Sequence, residues 1–176
     1  GKGAENGILI KDIESLENAS QITDLVLDKT GTITLGKPLV SQVESVAAFD
    51  DKARSILVSM EEKSDHPLAH AVRTHFQKSE TLSLDDFKNT VGKGIEAQLN
   101  AKKYVVGNSV FIQEKTKSID EKLTLQAQDW MNQSKSVVWF ADDEQALAIF
   151  AVEDAIKPTS MEALSHLKAQ GIQLHL

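Results

Sequence analysis

The sequence predicts a mixed fold, α/β at its two ends and α+β between them. Three observations carry this. The run ITDLVLD (22–28) is apolar, β-rich and closed by a carboxylate and a turn, the pattern of a strand buried on both faces of a parallel sheet. Residues 37–151 read as helices packed on hairpins with no β-α-β alternation, which indicates an antiparallel α+β unit. The tail, 152–176, resumes a helix-then-strand order. The simplest organisation is one α/β domain, 1–36 and 152–176, interrupted by an insertion at 37–151.

Each element has a local reason. In TLGKPLV, Gly36 and Pro38 break the strand pattern and mark the exit from the first unit. Ala53, Ile56, Leu57 and Met60 recur at helical spacing behind Asp50 or Asp51 as a cap. A second helix is expected from Pro67, where proline's missing N–H costs nothing, with Leu68, Ala71, Val72 and Phe76 on one side. GIEAQLNAKKYVVGN holds two β-like runs around NAKK, a hairpin signal. Leu123–Met131 suggests a helix, and SVVWFADDEQALAIFAVED two strands around DDEQ. Thr159–Glu162 matches a capping box, followed by Met161, Leu164 and Leu167, with Gly171 as the stop before the strand IQLHL. Trp130 and Trp139 are expected in the core. A domain ending on a bare apolar strand reads as a piece of a longer chain.

Composition narrows the function. A net charge of −7 disfavours nucleic acid as a partner, because the phosphate backbone would be repelled. With no cysteine there is no disulfide framework and no thiolate metal site. His66 and His70 are four apart and could face one metal, but no third ligand accompanies them. No run approaches the length of a membrane span. The chain is expected to be soluble and monomeric.

The chemistry is concentrated in LDKTGTITLGKP (27–38). Asp28 ends a predicted parallel strand, where open α/β sheets place their ligands. A carboxylate there can attack phosphorus and form an acyl-phosphate. Lys29 supplies positive charge, Gly31 lets backbone N–H groups turn toward phosphate oxygens, and the Thr30 and Thr32 hydroxyls can add hydrogen bonds. The alternative is an ordinary strand-end Asp followed by a Thr/Gly turn.

DKTGT at Asp28–Thr32 resembles the phosphorylation motif of the P-type ATPases, cation pumps of the haloacid-dehalogenase-like superfamily. The superfamily's phosphatases usually place a second Asp two positions after the nucleophile, where this chain has Thr30; the departure favours a long-lived phosphoenzyme. EEKSDHPLAHAV (61–72), VGKGIEA (91–97) and VVGNSVFI (105–112) resemble, in order and spacing, three nucleotide-binding segments of the heavy-metal (type IB) P-type ATPases. Residues 1–17 resemble the segment that follows the last core membrane helix, and VEDAIKP the return into the phosphorylation domain, so the likeness covers nearly the whole chain. Taken singly, His66 could begin a helix, GKG could be a turn, Gly107-Asn108 a strand-ending turn and Glu61 a solvated charge.

The resemblance implies a partial haloacid-dehalogenase-like (Rossmann-like) phosphorylation domain with an inserted antiparallel-sheet α+β nucleotide-binding domain. It implies that Asp28 is the phosphorylated nucleophile, supported by Lys29, Thr30 and Thr32, and that Asp28 and the Thr30 carbonyl hold part of a Mg²⁺ site. Glu61 and His66 would engage the adenine end of ATP. Gly92 and Gly94 would let the backbone approach the nucleotide, and Asn108 would bond near the ribose or phosphates. Asp154 and Lys157 would lie near the interdomain hinge. The implied partners are ATP and the remaining phosphorylation, actuator and transmembrane domains of a pump whose cytoplasmic side this chain would form. Copper is the first expectation for the cargo, ahead of zinc, cadmium or cobalt. The family's Thr-Gly-Asp and Gly-Asp-Gly-x-Asn-Asp motifs are not in the sequence. The chain is therefore expected to bind ATP weakly, without needing Mg²⁺, and not to turn it over. Two rivals are a potassium-pump subunit, which His66-Pro67 counts against, and a haloacid-dehalogenase-like phosphatase with a cap domain, which Lys29 and Thr30 count against.

Overall fold

The structure, a computed structural model, describes residues 2–9 and 12–176; residues 1, 10 and 11 of the leading segment lie outside it. The chain forms two compact units, Gly1–Gly36 with Ile156–Leu176, and Lys37–Ala155. The larger unit ends at Ala155 rather than at 151, because the strand Ala146–Ile156 runs on without a break.

The smaller unit holds α1 (Lys2–Glu5), α2 (Ile13–Ala19), β1 (Asp24–Val26), and, after the larger unit, α7 (Pro158–Ala169) and β8 (Gln173–His175). Asp12 caps α2, its carboxylate accepting from the Ser15 amide at 2.6 Å. β1 pairs with β8 in parallel, Leu25 opposite Leu174, as the α/β reading requires. Burial on both faces, however, is not observed: β1 has three residues in a two-stranded sheet, and Val26 is largely exposed. An apolar run reports β tendency, whereas burial needs layers on both sides, and among the described residues none covers Val26. The Thr159–Glu162 capping box is not formed either. α7 starts two residues earlier than that box would place it, with Pro158 in its first turn and Lys157 as a cap that makes no side-chain bond. Proline's fixed φ suits that position and makes a side-chain cap dispensable.

The larger unit is a six-stranded sheet in the order β2-β7-β6-β5-β4-β3. β2 (Thr34–Ser45), β3 (Asp85–Thr90), β4 (Gly94–Leu99), β5 (Lys102–Gly107), β6 (Ser136–Asp142) and β7 (Ala146–Ile156) are its strands, and the pairs from β3 through β7 are antiparallel. β2 runs straight through Gly36 and Pro38, which the sequence had marked as a break. Its edge position tolerates proline, whose absent N–H leaves no central ladder bond unmade. The β4–β5 hairpin turns at Asn100 and Ala101, both at positive φ (53° and 64°), matching the twist of the flanking strands.

Two helical pairs complete the unit. α3 (Asp51–Glu61) is capped by Asp50, whose side chain accepts from the Ala53 amide at 2.8 Å. It and α4 (Pro67–His75) contribute Ile56, Leu57, Met60 and Val72 to one core with Val138, Phe140, Phe150 and Val152. α5 (Ser109–Lys115) and α6 (Glu121–Asn132) contribute Phe111, Ile112, Leu123 and Trp130 to a second core with Trp139, Ala141, Ile149 and Ala151. Successive residues of β6 and β7 thus feed opposite faces, as the two-residue period of a strand dictates. Both tryptophans are buried, as expected.

Candidate functional site

In the smaller unit, β1 delivers Asp28 to the surface at its carboxyl end, the Leu27 amide donating to the His175 carbonyl at 2.9 Å just before it. The next residues form a tight irregular turn. Thr30 (φ −78°, ψ 121°) and Gly31 (φ 78°, ψ −19°) have the central dihedrals of a type II turn, whose third position is open to glycine and strained for other residues. Asp28, Lys29, Thr30 and Thr32 are exposed.

Three residues hold this turn, two of them, Thr34 and Ser160, not singled out by the sequence. The buried Thr34 hydroxyl accepts from the Gly31 amide and donates to the Lys29 carbonyl, both at 3.1 Å. The Ser160 hydroxyl donates to the Ile33 carbonyl at 2.9 Å. Lys157, read from the sequence as a hinge residue, sends its amine to the Gly31 carbonyl at 2.6 Å and its amide to Ile33. Asp154 lies in the other unit, accepting from the Lys37 amide at 3.0 Å. Thr34 leaves a faint trace in the sequence as the third threonine of TGTIT; Ser160 leaves none, because its partner lies far back in the chain. Thr34→Val is expected to leave the Gly31 amide without its hydroxyl partner, loosening the turn by about 1–3 kcal/mol. Faster hydrogen exchange at Gly31, measured by NMR, checks this.

In the larger unit, Glu61, His66, Gly92, Gly94 and Asn108 line a single cavity of about 270 Å³. They arrive from separate elements: the end of α3, the start of α4, the β3–β4 turn and the β5–α5 junction. A wider surface groove of about 1010 Å³, at the opposite ends of α3 and α4, contains none of them.

His66 does begin a helix, as its simpler reading held. The Leu68 amide donates to its Nδ1 at 3.1 Å, which leaves Nε2 to carry the hydrogen of the neutral ring. That cap fixes the imidazole at the cavity wall. Glu61 is no solvated charge. It is 4% exposed, and burial raises its carboxyl from the ordinary 4.5 to about 7, an effect that the Arg73 guanidinium partly opposes. A carboxyl so placed can donate or accept near neutral pH.

Asn108 spends its amide on the protein. Its Nδ2 donates to the Gly92 carbonyl at 3.0 Å, and its Oδ1 accepts from the Phe111 amide at 2.9 Å, capping α5. The Asn108 backbone amide also donates to the Lys93 carbonyl, so this residue fixes the glycine turn against α5. Gly94 pairs with Gly107 across β4 and β5. A Cβ on Gly94 would strike the Val106 carbonyl oxygen and sit 2.7 Å from the Gly107 Cα. Leu68, Ala69, Ile95, Val106, Val137 and Val138 give the wall an apolar stretch, and Ser64, Asn89, Thr90 and Lys93 add further polar groups. An apolar slot with a few convergent polar groups is what a planar heteroaromatic ligand requires.

Residues 25–176 match the family model described as haloacid dehalogenase-like hydrolase. The chain belongs to that family. As a haloacid dehalogenase-like hydrolase it also has relatives that extend over all of it. It is 36% identical over 184 residues to the probable copper-transporting ATPase PacS of Synechocystis sp. (strain PCC 6803), covering 100% of this chain and 25% of that protein. It is 34% identical over 177 residues to the copper-exporting P-type ATPase of Legionella pneumophila, covering 99% and 24%. Among solved structures, a zinc-transporting PIB-type ATPase in the E2·Pi state superimposes with a TM-score of 0.81 at 26% identity, over 98% of this chain and 28% of that one. The chain therefore spans about a quarter of the length of these relatives. The likeness to heavy-metal P-type ATPases read from DKTGT and the three later segments is what these comparisons find, and the fold is a haloacid-dehalogenase-like unit carrying an antiparallel α+β insertion.

Proposed function

We propose that this chain is the ATP-binding region of a heavy-metal P-type ATPase, with 37–155 as the nucleotide-binding domain and 1–36 with 156–176 as part of the phosphorylation domain. The observation that carries this reading is the convergence of Glu61, His66, Gly92, Gly94 and Asn108 on one cavity from segments spread over the sequence. The adenine would lie between the apolar wall and the His66 ring, its polar edge toward Glu61. The Gly92–Gly94 turn would let the ribose and phosphates approach backbone, held open by Asn108.

Asp28 is the residue that would take the γ-phosphoryl group in the intact pump. Its exposure and its place after a parallel strand suit an attacking carboxylate, and the Thr34 and Lys157 bonds hold the following turn in one shape. Mg²⁺, whose role is to neutralise phosphate charge, would find the Asp28 carboxylate and the Thr30 carbonyl. Among the described residues no group of three or more acidic or histidine side chains converges, so the Asp28 carboxylate and the Thr30 carbonyl would be this chain's part of the site, alongside substrate oxygens and water. Asp154 and Lys157, on either side of the boundary between units, would serve as its hinge. The cargo would be a transition metal, copper(I) first, moved by membrane segments of the whole protein; no helix among the described residues is long and apolar enough to cross a membrane. In such a pump this region would face the cytoplasm.

Titration with ATP, ADP and AMP, followed by backbone NMR, tests this. Shifts concentrated at His66, Gly92, Gly94 and Asn108, without Mg²⁺ and without turnover, are expected. No nucleotide binding, together with hydrolysis of small phosphoesters, would favour the capped phosphatase instead.

A further inference from the structure

The cavity wall contains both signs of charge, and the positive one is already engaged. Among the described residues lining it, Lys93 is the one lysine or arginine. It sits between Gly92 and Gly94, and its ammonium is bound by both carboxylate oxygens of Glu114 on α5, at 2.7 and 2.9 Å. Glu114 does not line the cavity; it approaches Lys93 from outside the wall. Both side chains remain nearly half exposed, 41% and 45%, so the pair is solvated and can exchange partners at little cost. The backbone beneath it does not share this freedom, since Asn108 clamps the Gly92 and Lys93 carbonyls.

A nucleotide brings several negative charges to a chain that already carries −7. Its base meets the apolar wall, but its phosphates need a cation, and the wall offers Lys93. We infer that Lys93 is the residue by which this cavity distinguishes phosphorylated nucleotides from nucleosides, and that Glu114 competes with the phosphates for it. This rests on the nucleotide reading of the cavity and adds to it a specificity residue and a built-in competitor. The lysine stem is long and flexible and its ammonium is a point charge, so moving from carboxylate to phosphate requires only side-chain rotation. Exchanging one solvated anion for another of higher charge gives a modest gain, which keeps binding weak and salt-dependent.

The test is calorimetric titration of ATP, ADP and adenosine into the wild-type chain, Lys93→Gln and Glu114→Gln, at low and high salt. Lys93→Gln should weaken ATP and ADP by about two- to fivefold, the range of one partly solvated ionic contact, and leave adenosine unchanged. Glu114→Gln should tighten ATP by about two- to fivefold, again with adenosine unchanged, as removal of a solvated competitor predicts. In Lys93→Gln, most of the salt dependence of ATP binding should vanish. If Lys93→Gln weakens adenosine as much as ATP, the pair merely shapes the turn and the inference fails. If neither substitution alters ATP binding, it fails as well. If the wild-type chain binds adenosine but shows no preference for ATP, the nucleotide cavity stands and the role of Lys93 falls. Absence of binding by all three ligands overturns both.

Discussion

Replacing Gly94 with valine should destabilise the larger unit by at least about 3 kcal/mol and abolish with it the nucleotide binding proposed above. The cause lies in two backbones in contact. Gly94 and Gly107 face each other across β4 and β5, and each is glycine for the same reason. A Cβ at 107 would strike the Lys93 carbonyl and come within 2.9 Å of the Gly94 Cα; a Cβ at 94 would meet the Val106 carbonyl and, at 2.9 Å, the Phe111 ring. Backbone on one side and a fully buried ring on the other leave nothing able to yield. Gly92 is the control. It is also at positive φ (73°), yet a Cβ there has open space around it, so Gly92→Ala should cost only the conformational strain of about 1–2 kcal/mol. Chemical denaturation of the two variants separates the cases. Equal, small losses would show that the strands can part and that the close approach is not essential.

The second large effect is the pH dependence stored in Glu61. Its folded carboxyl titrates near 7 instead of 4.5 because burial disfavours the anion. Below about 4.5 the carboxyl is protonated whether folded or not, and its full contribution is present. As pH rises toward 7 the unfolded chain releases the proton first, so stability declines and levels off above 7. The loss is on the order of 3–4 kcal/mol across that window, since each pH unit of displacement corresponds to about 1.4 kcal/mol. Glu61→Gln, neutral at every pH, should flatten the profile and exceed the wild type at pH 8 by roughly 3 kcal/mol. Denaturation curves at pH 5 and pH 8 would decide it, and parallel behaviour of the two proteins would refute the assignment. A cost of this size, kept at a cavity wall, supports the ligand-facing role proposed for Glu61.

Much of the fold was legible in the sequence because it rests on local rules. Asp50 before α3, Pro67 opening α4 and the alternating apolar residues of β6 and β7 each state their own structure. What misled was reading burial from apolar content: ITDLVLD and ALAIFAV look alike, yet only the second has a strand on either side and helices over both faces. β3 went unread because DDFKNT is polar and becomes a strand through pairing with β4. The cavity residues could be named from segment resemblance, but not the way Asn108 spends its amide or the way Lys93 is held. Those depend on residues 16 and 21 positions apart meeting in space. The threonine and lysine bonds around the Gly31 turn were hidden for the same reason, Lys157 lying 126 positions from its partner.

The sheet order places β2 beside β7, and a bond from the Lys37 amide to Asp154 closes the gap where the larger unit's two ends meet. A polypeptide whose ends are stitched together in this way behaves as a cassette. It could have been acquired by an ancestral strand-loop junction without stretching its host, and its two chain crossings cost little loop entropy. It follows that residues 37–155 can be excised, circularly permuted by joining those ends, or grafted into another surface turn, and should still carry their cavity with them.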